Sequence, residues 1–180
     1  MYFLKTDIPD VIVCQPKIHE DNRGHFFESF RQDELEKNLG YKVSFCQDNE
    51  SYSIYGTLRG LHFQKTPYAQ AKLVRVVKGE IIDVAVDIRK GSKTFGCHVK
   101  VRLNEKNRKQ LFIPKGFAHG FVVTSKNAKI CYKVDSFYSH KYDSGIIFND
   151  KNLNKNWEID LEKLKISDKD KNLLPFKSIK

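Results

Sequence analysis

Thr57 to Ser92 reads TLRGLHFQKTPYAQAKLVRVVKGEIIDVAVDIRKGS, and its alternation decides the fold. The part up to Lys72 places a guanidinium, an imidazole, a carboxamide and an ammonium in one extended stretch with a turn. Arg59, His62 and Lys72 lie among Leu58, Leu61, Phe63 and Leu73, so some of these polar groups face inward. Buried ionisable groups need partners and gather at functional sites. The stretch is therefore a candidate for a base and an anion clamp, with the rest of the chain building a cavity around them. From Lys72 onward the sequence reads as two strands joined at Lys78-Gly79, where glycine supplies the tight position of a hairpin. In the second strand Ile82, Val84, Val86 and Ile88 share one face, and Asp83, Ala85 and Asp87 the other. Asp83 reads equally well as a cavity group or an outward solubiliser, and Asp87 reads as a solubiliser.

Upstream, Val11 to Ile18 is β-branched and interrupted by Pro16, which fits an edge strand. In DNRGHFFESF, Asp21 to Phe30, a turn at Asp21, Asn22 and Gly24 leads into a strand-like alternation of His25, Phe27 and Ser29 with Phe26, Glu28 and Phe30. Arg23 at this turn is a candidate anion contact. Arg31 to Gly40 is predicted to be a short helix, with Asp33 as N-cap, Leu35 and Leu39 on one face and Gly40 at its end. The stretch VSFCQDNES, from Val43, alternates again and places Gln47 and Asn49 on one face, as a wet cavity wall would.

Downstream, TFGCHVKVRL and QLFIP flank a polar turn and read as a further strand pair. Pro114, Gly116 and Gly120 then make a tight bend with His119 inside it. Another strand runs from Ala128 to Phe137 and carries Tyr132, and Trp157 anchors a charged C-terminal region. Short strands with turns roughly every eight to twelve residues, and no βα alternation, imply an antiparallel sandwich or barrel; a double-sheet jelly roll fits best.

Residues 1–180 suit a single domain with a real core, since 40% of them are hydrophobic and no tract is of low complexity. The net charge of +10 favours anionic ligands or solubility. Its lysines are scattered or lie late in the chain, and no basic helix or aromatic RNA platform is present, so nucleic acid is not an expected partner. Cys14, Cys46, Cys97 and Cys131 are far apart without CxxC spacing, which points to free buried thiols in a reducing compartment. The N-terminal MYFLKTDIPDV lacks a basic segment followed by a long apolar run, and no window approaches a membrane span, so a cytoplasmic protein is expected.

The ordered motifs DxRGxFxE, QxNxS, RGLHxQ, KLVxVxxGxxxDVxVDxR and IPxGFAHGF, followed by a tyrosine-bearing strand, resemble the dTDP-4-dehydrorhamnose 3,5-epimerase family. These are sugar-nucleotide epimerases with a cupin-type double-stranded jelly roll and a few short peripheral helices. The resemblance runs from about Asp21 to Asp170. It implies conversion of dTDP-4-dehydro-6-deoxy-D-glucose to dTDP-4-dehydro-L-rhamnose, by deprotonation and reprotonation at C3 and C5 through an enolate. By this resemblance His62 is the base, Asp170 its carboxylate partner, Tyr132 the acid on the opposite face and Lys72 the charge beside the ketone oxygen. Asp168 and Asp83 remain alternatives to Asp170.

Arg23 and Arg59 resemble diphosphate contacts, and Phe26, Glu28, Gln47 and Asn49 nucleotide contacts. Tyr138 resembles a base-stacking surface, His119 a group near the sugar or phosphate, and Lys169 a basic position of the family. Asp143 stands where the family more often has glutamate, and the shorter carboxylate bears on recognition of the base. Many jelly rolls of this class bind a metal through an HxH pair, a carboxylate and a further histidine. Here the first motif offers His62 alone and the second only His119, so neither metal nor other cofactor is expected. A homodimer is implied. The alternatives are an epimerase acting at C3 or C5 only, on a related nucleotide sugar, and a non-catalytic anion-binding cupin.

Overall fold

The structure, a computed structural model, describes residues 1–153 and 156–179. Two antiparallel sheets lie face to face. The first contains β1 (Tyr2–Lys5), β2 (Ile12–Gln15), β10 (Gln110–Ile113), β7 (Lys72–Lys78), β12 (Asn127–Val134) and β5 (Gln47–Ile54), in that order. The second contains β13 (Asp143–Gly145), β6 (Leu58–Gln64), β11 (Phe117–Val123), β8 (Glu80–Asp87) and β9 (His98–Asn104). A separate two-stranded hairpin, β3 (His19–Asp21) with β4 (Gly24–Phe26), belongs to neither sheet. This is the expected double-sheet jelly roll, with α1 (Gln32–Leu39) and α2 (Asp168–Lys171) as its peripheral helices. Among the described residues no helix is long and apolar enough to cross a membrane.

Alternating residues of both sheets fill the space between them: Val74, Val76 and Ile130 from the first, Ile81, Ala85, Leu103 and Phe121 from the second. The outer face of the second sheet is buried as well. Leu58, Ile82, Val84 and Val122 pack there against Leu153 and Trp157, whose indole donates to the Phe148 carbonyl at 3.0 Å. On the outer face of the first sheet, α1 seats Leu35 against Ile12, Leu73 and Phe112. Double-sided burial explains why β8 reads as a nearly continuous apolar run.

Several local expectations are corrected. Lys78-Gly79 does not close a hairpin, because β7 pairs with β10 and β12 while β8 pairs with β11 and β9. The turn carries the chain from one sheet to the other. Gly79 is required there: its φ is +79°, and an added Cβ would lie 2.0 Å from the Asn127 carbonyl oxygen. The presumed pair β9 and β10 is likewise divided between the sheets.

The Val11–Ile18 strand is no edge, since β2 sits between β1 and β10 and Pro16 falls just beyond it, leaving β1 as the edge. His119 lies in the middle of β11, not in a bend, and the strand expected from Val43 begins at Gln47. The cap of α1 is Arg31, with Asp33 in the first turn pairing to it at 2.6 Å. Asp87 is not a solubiliser. It is fully buried and accepts from Arg89, Ser92 and Thr94. Of the four free thiols only Cys14 is buried.

Candidate active site

At one end of the inter-sheet space a cavity of about 310 Å³ is lined by Arg59, His62, Lys72, His119, Tyr132 and Asp170, together with Ser51, Phe121, Ser167 and Lys169. Strand alternation accounts for most of this set. Lys72 continues the inward face of Val74 and Val76, and Tyr132 that of Ile130. Arg59 and His62 are three residues apart and would fall on opposite faces of a regular strand. An irregularity in the β6–β11 ladder, between His119 and Phe121, lets both reach the cavity while Leu58 and Leu61 stay in the outer core. Gly60 and Gly120 permit it. A Cβ on Gly60 would lie 2.5 Å from the Gly120 Cα, so the strands could not approach this closely with larger residues.

His62 contacts Asp170 through Nε2 at 2.7 Å. Asp170 is 3% exposed, and its second oxygen accepts from the Gly60 amide at 3.1 Å. Ser167 caps α2 by accepting from the Asp170 amide at 3.1 Å, which fixes the helix that carries this carboxylate. Burial pushes the Asp170 carboxyl up, but the His62 hydrogen bond and charge, the Gly60 amide and Lys169 outweigh it and hold the group below the usual carboxylate range. The partner of His62 is thus Asp170. Asp168 points to solvent, its side chain 93% exposed.

A second pair lies beside the first, because His119 and His62 face each other in the β11–β6 register. His119 Nε2 contacts Asp83 Oδ1 at 2.6 Å, and Asp83 is completely buried. Lys72 is buried with no ion pair among the described residues. Burial holds its ammonium down at about 8 against the opposing charges of Asp83 and Asp143. Burial likewise raises the Tyr132 phenol, only partly offset by the Arg59 guanidinium, so it stays protonated at neutral pH. Arg59 is steadied by a bond from Nε to Ser53 Oγ at 3.1 Å.

At the mouth, the Tyr138 hydroxyl donates to Asp143 at 3.2 Å, and Asp143 is also ion-paired with Lys169. The Tyr138 amide donates to Gln47 Oε1 at 3.2 Å, and the Gln47 amide donates to Asn49 at 2.8 Å. These two amides share a face, as expected. Arg23, Phe26 and Glu28 are not brought to this cavity. Arg23 pairs with Asp21 at 2.6 Å on the β3–β4 hairpin, Phe26 is 68% exposed, and Glu28 lies near Arg31 at 3.8 Å. Among the described residues no three His, Cys, Asp or Glu side chains group as a metal site would.

Ser51, Ser53 and Ser167 were missing from the sequence-based site. The first two continue the Gln47 and Asn49 face at two-residue spacing, and S-x-x-D at Ser167 and Asp170 is a helix-start signal. Both patterns were available in the sequence.

The family model described as dTDP-4-dehydrorhamnose 3,5-epimerase matches residues 5–178. A dTDP-4-dehydrorhamnose 3,5-epimerase from Shigella flexneri is 52% identical over 172 residues, spanning 96% of this chain and 94% of that protein. The crystal structure of the enzyme of that name from Elizabethkingia anophelis NUHP1 superposes with a TM-score of 0.96 at 43% identity, covering 99% of this chain and 97% of that one. A dTDP-6-deoxy-D-glucose-3,5-epimerase from Legionella pneumophila Philadelphia 1, solved in complex with dTDP-4-keto-L-rhamnose, superposes at 0.95 with 42% identity over 99% and 94% of the two chains. The chain belongs to the dTDP-4-dehydrorhamnose 3,5-epimerase family.

Proposed function

We propose that this chain inverts C3 and C5 of dTDP-4-dehydro-6-deoxy-D-glucose to give dTDP-4-dehydro-L-rhamnose. The observation that carries the reading is the 2.7 Å His62–Asp170 pair in one cavity with Lys72 and Tyr132. A carboxylate only accepts, so it takes the Nε2 hydrogen of His62 and leaves Nδ1 as the basic nitrogen. Nδ1 removes the proton from the carbon beside the C4 ketone. The Lys72 ammonium stabilises the oxyanion of the enolate more than the neutral ketone, which lowers the barrier. Tyr132, on the facing sheet, returns a proton to the other face of that carbon. His62 then loses its proton and Tyr132 regains one by exchange with water, restoring the site.

Arg59 and His119 serve the diphosphate and sugar in this reading. Tyr138, Gln47, Asn49, Asp143 and Lys169 meet the nucleotide at the mouth. The exposure of Arg23, Phe26 and Glu28 supports a homodimer in which the hairpin of one copy reaches the mouth of the other, and the open edge of β1 is a second surface for pairing. Four thiols without a disulfide fit a reducing, cytoplasmic setting.

The test is incubation with the substrate in heavy water, followed by proton NMR. Deuterium at both C3 and C5 is expected. Label at one carbon would replace the reading with a single-site epimerase, and binding without label would replace it with an anion-binding cupin.

A further inference from the structure

Asp83 is a completely buried carboxylate that the proposed proton transfers do not use. It shares the inter-sheet face of β8 with Ile81 and Ala85, across from the sheet that carries Lys72. One oxygen takes His119 Nε2 at 2.6 Å, and the other, Oδ2, is buried without a hydrogen-bond partner among the described residues. The contrast with Asp170 is direct, since both oxygens of Asp170 are bonded. A buried carboxylate left half satisfied is costly unless nearby positive charge compensates it. Lys72 is the buried ammonium whose charge it feels from across the cavity.

We propose that Asp83 is a positioning residue for the epimerisation, fixing His119 with one oxygen and balancing the Lys72 ammonium with the other. Because the carboxylate accepts at Nε2, Nδ1 is the ring nitrogen that His119, a residue of the cavity lining, keeps free for the sugar. The negative charge behind Lys72 keeps the lysine cationic in a site whose burial works against that charge. Asp143 on β13 acts in the same direction. The other charged or titratable groups on the cavity are Arg59 and His62 on β6, His119 on β11, Tyr132 on β12, and Lys169 with Asp170 on α2. Tyr132 is pushed above its ordinary range, so an alkaline limb near pH 8 reports the lysine.

This inference rests on the epimerase reading, and one experiment separates the two. The rate of deuterium entry at C3 and C5 is measured against pH for the wild-type chain, Asp83→Asn and His119→Gln. Asp83→Asn is expected to move the alkaline limb of kcat down by about one pH unit, with KM little changed. His119→Gln is expected to slow the reaction and leave the limb in place. An unmoved limb in Asp83→Asn, whatever its rate, overturns the inference. An equal shift in His119→Gln overturns the part that concerns Lys72. If asparagine prevents folding, Asp83→Ser removes the same charge with a smaller side chain and is read the same way. Absence of exchange in the wild-type chain overturns the epimerase reading and this inference with it.

Discussion

Arg59 and Arg23 are two guanidiniums in opposite settings. Arg59 stands on β6, held between β11 and β13, and its Nε is fixed by Ser53 from the facing sheet. Arg23 stands at the tip of a two-stranded hairpin, 85% exposed and, among the described residues, ion-paired only with its neighbour Asp21. A side chain carried by a central ladder is positioned before any ligand arrives, whereas one on an isolated hairpin depends on the surface it meets. The cavity is therefore preorganised by its ladders, whereas the hairpin side chains are held only by their own neighbours.

The sharpest test of the cavity is His62→Ala. Deuterium entry should fall by about 10²–10⁴-fold, while calorimetry shows nucleotide binding retained. Full activity would remove His62 from the mechanism. Lys72→Met should lower kcat by roughly 10²–10³-fold and also stabilise the fold. The folded chain releases this proton at about 8 and the unfolded chain near 10.5. Below pH 8 both states are charged and the fold bears the whole cost of burial, about 3 kcal/mol. As pH rises from 8 to 10.5 the unfolded state binds more protons than the folded one, so the wild type gains stability and the advantage of Lys72→Met shrinks. Thermal melts across this range check the sign, and a variant less stable at pH 7 would contradict it.

The hairpin side of the contrast is tested by Arg23→Ala, which should raise KM by about tenfold through loss of charge-assisted bonds. Mixing it with His62→Ala chains is more telling. If the hairpin serves a partner's cavity, each mixed dimer has one site with both defects and one with neither, and turnover at the wild-type KM reappears. Failure to complement, or a monomer mass by light scattering, would break the proposal. Ser51→Ala should have the smallest effect. Its hydroxyl is buried at the cavity wall without a partner among the described residues, so removing it should leave stability unchanged and raise KM by only about two- to tenfold. An unchanged KM would remove Ser51 from substrate binding.

Much of this was legible from local pattern. Tyr132, Lys72, Gln47 and Asn49 follow the inward faces of their strands, and Gly40 ends α1 with a φ of 76° where a helix stop was read. Two turns misled. Lys78-Gly79 and the polar turn after β9 signal reversal of direction, but a turn does not say whether the next strand joins the same sheet. Strands buried on both faces, as β8 is, give no alternation from which the layer could be assigned. The burial of Asp87 was missed for a related reason, because its compensating donors, Arg89, Ser92 and Thr94, come from the loop that follows it.

The sequence by itself determined the all-β class and the strand faces, because side-chain alternation and turn preferences are properties of neighbouring residues, while the residue types needed for an enolate came from the resemblance of its ordered motifs to the epimerase family. Only the tertiary structure decided which strands share a sheet, that Asp170 rather than Asp83 takes His62, and that Arg59 and His62 share a cavity despite their spacing. Those outcomes depend on contacts between residues far apart in the chain. The close approach of Gly60 to Gly120 and the docking of α2 are the two that matter most.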